Sequence, residues 1–293
     1  MPRAHANGID IEYETFGNPS APPLLLVMGL GAQMITWDDE FCEQLAERGF
    51  HVIRFDNRDI GLSTKMEGAG MPDLMAAFGG DAQPAYTLDD MADDAVSLLD
   101  ALGIGPAHVV GASMGGFIVQ LMAINHPDRV LSLTSIMSAP GGRDTVSPRP
   151  EGAEVLMRIP PETREGRIEH AVWIRQVLAG RGNPFDEAAE ARRAARSVDR
   201  SYYPAGTARQ LVAILAAKSR LERLATVSAP TLVVHGIDDP LVPVENGRRV
   251  AAAVPGARLL EFEGMGHNMP ERFWPVILDA IVETTRKTSV LQP

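Results

Sequence analysis

The residues with the clearest capacity for chemistry are those around Ser113. They read Gly111-Ala112-Ser113-Met114-Gly115-Gly116, preceded by the short apolar run His108-Val109-Val110 and followed by the apolar run Phe117 to Asn125. This pattern predicts a serine at a tight turn from a strand into a helix. Such a turn holds its central residue in a strained backbone conformation, and only small residues two before and two after let the neighbouring segments approach. Gly111 and Gly115 occupy those two positions. The helix that follows points its free N–H groups and the positive end of its dipole toward the serine.

A serine hydroxyl attacks poorly until a base takes its proton, and the base needs a carboxylate to orient it. Seven histidines are present. His5 falls in an N-terminus read as loose, His51 and His108 begin strands, His126 ends the helix after Ser113, His170 lies in a helical stretch and His235 ends a strand; each reads as a structural or surface group. His267 differs, because it sits in Glu263-Gly264-Met265-Gly266-His267-Asn268-Met269-Pro270, a glycine-rich loop after the strand-like run Arg258 to Phe262. A histidine on such a loop can swing over a nucleophile at a sheet edge. The carboxylate belongs at the end of another strand on that edge, where His235-Gly236-Ile237-Asp238-Asp239-Pro240 offers two candidates. Asp239 is preferred over Asp238, since the following proline biases its backbone toward an extended form and so fixes its side-chain direction.

The elements that must hold these residues alternate. Ile9 to Phe16 has the period-two pattern of a half-buried strand, with Ile9, Ile11 and Tyr13 set against Asp10, Glu12 and Glu14. Leu24 to Met28, Val52 to Phe55, His108 to Val110, Val130 to Ile136 and Thr231 to Val234 are short continuous apolar runs, as expected of strands covered on both faces. Helical spacing appears in Phe41 to Arg48 and in Leu88 to Leu102, where Asp89, Asp90, Asp93 and Asp94 are read as facing out and complementing the helix dipole rather than binding a metal. The expected class is therefore α/β, with a mostly parallel central sheet flanked by helices. From about residue 140 to 229 the rhythm breaks into helical pieces with no convincing strand, which divides the chain into a core of residues 1–139 and 230–293 and a helical insertion of residues 140–229. Arg192, Arg193 and Arg196, interleaved with Glu187 and Glu190, read as a solvated face of one of these helices.

Composition limits the partners. The chain is 45% hydrophobic and 22% charged, the profile of a globular protein, and its 38 acidic against 27 basic residues leave a net charge of -11. A field of that sign argues against nucleic acid and anionic membrane surfaces. The single cysteine, Cys42, excludes an internal disulfide and any cysteine metal cluster. The first eight residues lack the apolar stretch of a secretory leader, and the longest apolar run, Ala21 to Leu30, is too short to span a bilayer. A cytoplasmic location is expected, with no metal and no cofactor; the oligomeric state is not legible.

The order Ser113, Asp239, His267 along the chain is similar to that of the α/β-hydrolases. The likeness extends to Asp56-Asn57-Arg58-Asp59-Ile60-Gly61-Leu62-Ser63, which resembles the D-x-R-x-x-G-x-S turn of that family. It also covers Gly236, Asp239 and Pro243 as its G-x-x-D-x-x-x-P pattern, and Gly264, Gly266 and His267 as its G-x-G-H loop. The resemblance implies a cap, or lid, for the insertion. It further implies an oxyanion hole formed by the backbone N–H groups of Leu30 and Met114, with Met28 standing where the family's H-G-x loop has histidine. It implies a serine hydrolase acting on small hydrophobic carboxylic esters, closest to the esterase branch that includes aclacinomycin methylesterase. Carbon–carbon bond hydrolysis, cofactor-free perhydrolysis and ligand reception without turnover are the alternatives on the same scaffold. Met28, Met265, Met269 and Trp173 are candidate walls of the substrate pocket.

Overall fold

The computed structural model describes residues 2–80 and 83–287. Eight strands form one sheet: β1 (Arg3–Ala6), β2 (Ile9–Phe16), β3 (Pro23–Val27), β4 (His51–Phe55), β5 (Ala107–Ala112), β6 (Val130–Ile136), β7 (Thr231–Gly236) and β8 (Arg258–Phe262). Their spatial order is β1-β2-β4-β3-β5-β6-β7-β8. Pairing is parallel from β4 through β8, while β2 runs antiparallel to both its neighbours. The N-terminus is thus not loose. Ala4 and Ala6 bury their side chains while Arg3 and His5 face out, and His5 Nδ1 lies 2.9 Å from Asp10 Oδ1 across the β1–β2 ladder. A four-residue run with small apolar residues carries too little side-chain signal to read as a strand.

The central strands separate two cores by alternation. Leu25 and Val27 of β3, Ile53 and Phe55 of β4 and Val109 of β5 enter one cluster; Leu24 and Leu26, Val52 and Val110 enter the other. The first is closed by α3 (Leu88–Ala101), α4 (Met114–Asn125) and α10 (Val244–Ala253), the second by α1 (Asp39–Glu47) and α11 (Trp274–Arg286). Each fully buried leucine or valine contributes about 1.5–3 kcal/mol relative to exposure. α3 begins with a capping box between Thr87 and Asp90. Asp94 on the same helix is buried, contrary to the outward position expected for it, because Arg58 reaches it with Nε and Nη2, each at 2.6 Å.

Between β6 and β7 the chain runs through α5 (Pro150–Met157), α6 (Arg164–Leu178), α7 (Glu187–Arg200), α8 (Pro204–Ala216) and the short α9 (Leu221–Leu224); α2 (Leu74–Phe78) lies earlier, before α3. Two of these inserted helices are anchored to the core by buried polar groups. Arg209 on α8 grips Asp59 with Nε and Nη2, each at 2.8 Å, and both side chains are buried. Arg200 on α7 pairs with buried Asp56 at 2.7 Å. The arginine face of α7 is only partly solvated, since Arg193 reaches Glu190 at 2.8 Å and Glu271 at 3.2 Å, and Arg196 reaches Asp39 at 3.4 Å.

Because β3 is flanked by β4 on one side and β5 on the other, the connections leaving β3 and β5 part at their carboxyl ends. Switch points of this kind are where open parallel sheets place their ligands.

Candidate active site

Ser113 sits at that switch point, the one residue between β5 and α4, with φ +57° and ψ −120°. Its backbone is locked: Ser113 N–H donates to Ile136 C=O at 2.9 Å, and Ser113 C=O accepts from Ser138 Oγ at 3.0 Å. The flanking glycines answer a direct steric demand. A Cβ on Gly111 would lie 2.2 Å from Gly115 C=O, and one on Gly115 would lie 2.1 Å from Val27 C=O at the end of β3. No side chain fits either place.

His267 hangs over Ser113 from the loop between β8 and α11. Its Nε2 lies 2.9 Å from Ser113 Oγ, and its Nδ1 lies 2.7 Å from Asp239 Oδ2. Asp239 follows β7 and is buried, its second oxygen Oδ1 accepting the N–H groups of Leu241 at 2.9 Å and Val242 at 2.7 Å. Of the two adjacent aspartates, Asp239 faces the histidine; Asp238 instead gives its backbone N–H to Met265 C=O at 3.1 Å. A carboxylate with one oxygen held by backbone donors and the other on an imidazole fixes both the rotamer of the ring and which nitrogen carries hydrogen.

A second imidazole stands beside the acid. His235 on β7 is fully buried, and its Nε2 lies 2.7 Å from Val242 C=O and 3.6 Å from Asp239 Oδ2. A carbonyl only accepts, so Nε2 carries the hydrogen. Burial pushes the His235 pKa down, which keeps the ring neutral next to the acid.

The loop after β3 passes directly against the serine. A Cβ on Gly29 would lie 2.9 Å from Ser113 Cβ. Asn57 Nδ2 holds Met28 C=O at 2.9 Å, and Gln210 on α8 accepts Gly31 N–H at 2.9 Å while donating Nε2 to Arg58 C=O at 3.0 Å. The Leu30 N–H lies between these two clamps, and Met114 N–H opens α4 directly after Ser113. Sequence reasoning did not find Asn57 or Gln210 as supports of this loop. Gln210 stands with Arg209 directly before the apolar run Leu211 to Ile214, which marks a polar pair on this helix but not the main-chain groups it meets.

The four candidate pocket residues separate. Met28 and Met265 are buried in the core cluster that also holds Trp37, Phe41 and Trp274, and partly buried Met269 packs against it. Trp173 on α6 stacks with His170, ring centroids 5.7 Å apart, and carries the Arg158 guanidinium 4.2 Å from its own centroid. A cleft between the two roots of the insertion, lined by Arg143, Asp144, Lys218 and Ser219 among others, contains none of Ser113, Asp239 or His267. Among the described residues no cluster of side chains could hold a metal ion, and no helix is long and apolar enough to cross a membrane.

Comparison with known proteins bears on the family and the fold. The family model described as alpha/beta hydrolase fold matches residues 22–271. The rhodomycin D methylesterase DnrP of Streptomyces peucetius is 32% identical over 94% of this chain and 95% of its own. Among solved structures, the meta-cleavage product hydrolase CumD of Pseudomonas fluorescens superposes with a TM-score of 0.77 at 20% identity, covering 98% of both chains. The enol-lactonase of Burkholderia xenovorans does so with a TM-score of 0.75 at 23% identity, over 97% of this chain and 99% of the other.

Proposed function

Because the chain belongs to the α/β hydrolase fold family, we propose that it, a carboxylic ester hydrolase, works through an acyl-enzyme formed on Ser113. The observation that carries this reading is the unbroken line of hydrogen bonds from Ser113 Oγ through His267 to Asp239. His267 Nε2 takes the serine proton as Oγ attacks the ester carbonyl, and Asp239 stabilises the imidazolium that results. The carbonyl electrons move onto oxygen, where the N–H groups of Leu30 and Met114 receive the charge; each such donor is worth about 10²- to 10³-fold in rate. Collapse of the tetrahedral species breaks the ester C–O bond, and His267 passes its proton to the departing alcohol. Water then repeats the sequence on the acyl-enzyme, His267 taking its proton, and Ser113 leaves with the proton back on Oγ.

Residues 140–229 act as the cap over this site in the same reading, and a small hydrophobic methyl ester is the substrate class, by the likeness to the methylesterase. Met28, Met265, Met269 and Trp173 remain the residues through which pocket size would be tested. No cofactor is required by any step.

The test is hydrolysis of methyl and p-nitrophenyl esters of rising acyl length by the native protein beside Ser113→Ala and Asp239→Asn. Turnover that vanishes with Ser113→Ala and falls by about 10⁴-fold with Asp239→Asn is expected. Folded native protein without turnover on any ester, or turnover that survives Ser113→Ala, would overturn the proposal.

A further inference from the structure

The loop that carries His267 is held from two sides, and one of them belongs to the insertion. On the core side, Asp238 N–H holds Met265 C=O at 3.1 Å, and Gly236 at the end of β7 packs so closely that a Cβ there would lie 2.1 Å from the same oxygen. On the other side stands the end of α6. The backbone N–H of His267 itself donates to Leu178 C=O at 2.8 Å. That carbonyl is one of those a helix leaves unsatisfied at its C-terminus, so the histidine's own main chain completes the helix end.

The two segments are in backbone contact throughout. A Cβ on Gly266 would lie 2.1 Å from Leu178 C=O, and one on Gly180 would lie 2.4 Å from Gly266 N; Gly180 also has φ +79°. Two glycines facing each other permit this approach and no larger residues would. Beyond them, Asn183 Nδ2 donates both to Ala179 C=O at the end of α6 and to Gly264 C=O in the histidine loop. Two acceptors on one atom force it to be the amide nitrogen. Asn183 Oδ1 is buried and has no partner among the described residues, so these two bonds are what orient the side chain.

We propose that the end of α6 and the turn after it, from Leu178 to Asn183, are a positioning element for the general base, with Asn183 as its positioning residue, so that the insertion sets how well His267 reaches Ser113. This rests on the reading of His267 as the base. Asn183 touches neither nucleophile nor acid. It acts by tying Gly264, three residues before His267, to the helix whose last carbonyl holds His267 itself. Whatever displaces the end of α6 displaces the base.

Replacing Asn183 tests this in a residue that lies in a loop and is only half-buried. Asn183→Ala removes the clamp, and Asn183→Asp sets an acceptor against two carbonyls without changing shape. The expected result in both is kcat lower by about 10- to 100-fold with KM changed by less than about twofold, since a small misplacement of a reacting group costs rate rather than ground-state binding. Inactivation of Ser113 by a fluorophosphonate, which uses the same base, should slow in parallel. For Asn183→Asp the ratio of variant to native kcat should rise as the pH is lowered, because the protonated acid regains a donor. Ser113→Ala run alongside separates the two levels of the argument: native turnover lost in Ser113→Ala but unchanged in both Asn183 variants overturns the positioning role alone. A loss confined to the denaturation midpoint, with native kcat, also overturns it. Native protein with no Ser113-dependent turnover overturns the reading of the site and this inference together.

Discussion

At Ser113 a non-glycine side chain is held at φ +57°, a region that favours glycine, and the surroundings leave it no other choice. The hydroxyl is presented because the glycines on both sides have surrendered their space to carbonyls at 2.2 and 2.1 Å from any Cβ they could carry. Gly115→Ala is therefore expected to push α4 away from Val27, moving Ser113 off His267, and to lower turnover by about 100-fold or more while far-UV circular dichroism stays native. Native-level turnover in that variant would mean the elbow tolerates a shift that its contacts deny. This part of the site was legible in the sequence because its constraint is local: the spacing of two glycines about one serine expresses it fully. Asn183, Asn57 and Gln210 were not legible for the opposite reason. Their partners are main-chain groups of Gly264, Met28 and Gly31, and no residue type marks a carbonyl or an N–H far away in the chain.

The scale of elements shows where periodicity speaks and where it is silent. β6 has the bounds its run suggests, since a strand covered on both faces writes itself as a continuous run; β8, an edge strand with no buried residue, also has its expected bounds. Asp94 reads as an outward acid by helical spacing, yet it is buried because Arg58 arrives from the turn after β4, a partner that the spacing of α3 does not contain. That turn also anchors the insertion, through Asp59 and Arg209, whose side chains are 0% and 1% exposed. Asp59 is held below the usual carboxylate range by Arg209 and by the Met66 N–H at 2.7 Å, against a burial that pushes it the other way. Removing one partner of such a pair leaves a buried charge alone, so Arg209→Met should cost about 3–5 kcal/mol in urea denaturation, whereas Arg209→Met combined with Asp59→Asn should cost clearly less than the sum of the two single changes. Strict additivity would mean that α8 is held to the core by apolar packing and the pair is incidental. Because Gln210, next to Arg209, holds the loop of Leu30, the same single change should also lower kcat/KM on esters.

Over the whole molecule, acidity acts on the fold through histidines that have no part in the proposed reaction. His108 lies in the sheet beneath the site, with Nδ1 2.9 Å from Ser132 Oγ and its ring edge-on to Phe50 at 5.8 Å. Burial pushes its pKa from the ordinary 6.5 down to about 4. Above pH 6.5 the ring is neutral in both the folded and unfolded chain and contributes no pH dependence. Between pH 6.5 and about 4 the unfolded chain binds a proton that the folded one refuses, so stability falls with pH across that window, by about 3 kcal/mol in total from this residue. Burial moves His51, His170 and His235 in the same direction, while Asp38, pushed up by burial, works in the opposite one. His108→Asn keeps a polar partner for Ser132 and cannot titrate. Its unfolding free energy should therefore drop less than the native protein's between pH 7 and pH 4.5, by about 2 kcal/mol. An identical drop in the two proteins would remove His108 as a source of acid sensitivity. The distinction matters for enzymology as well, since a histidine base is also lost when protonated. In His108→Asn the acid limb of the rate profile should keep its position, because His108 has no part in the proposed reaction, while the irreversible loss of activity on acid incubation recedes to lower pH, because that loss belongs to the sheet that carries Ser113.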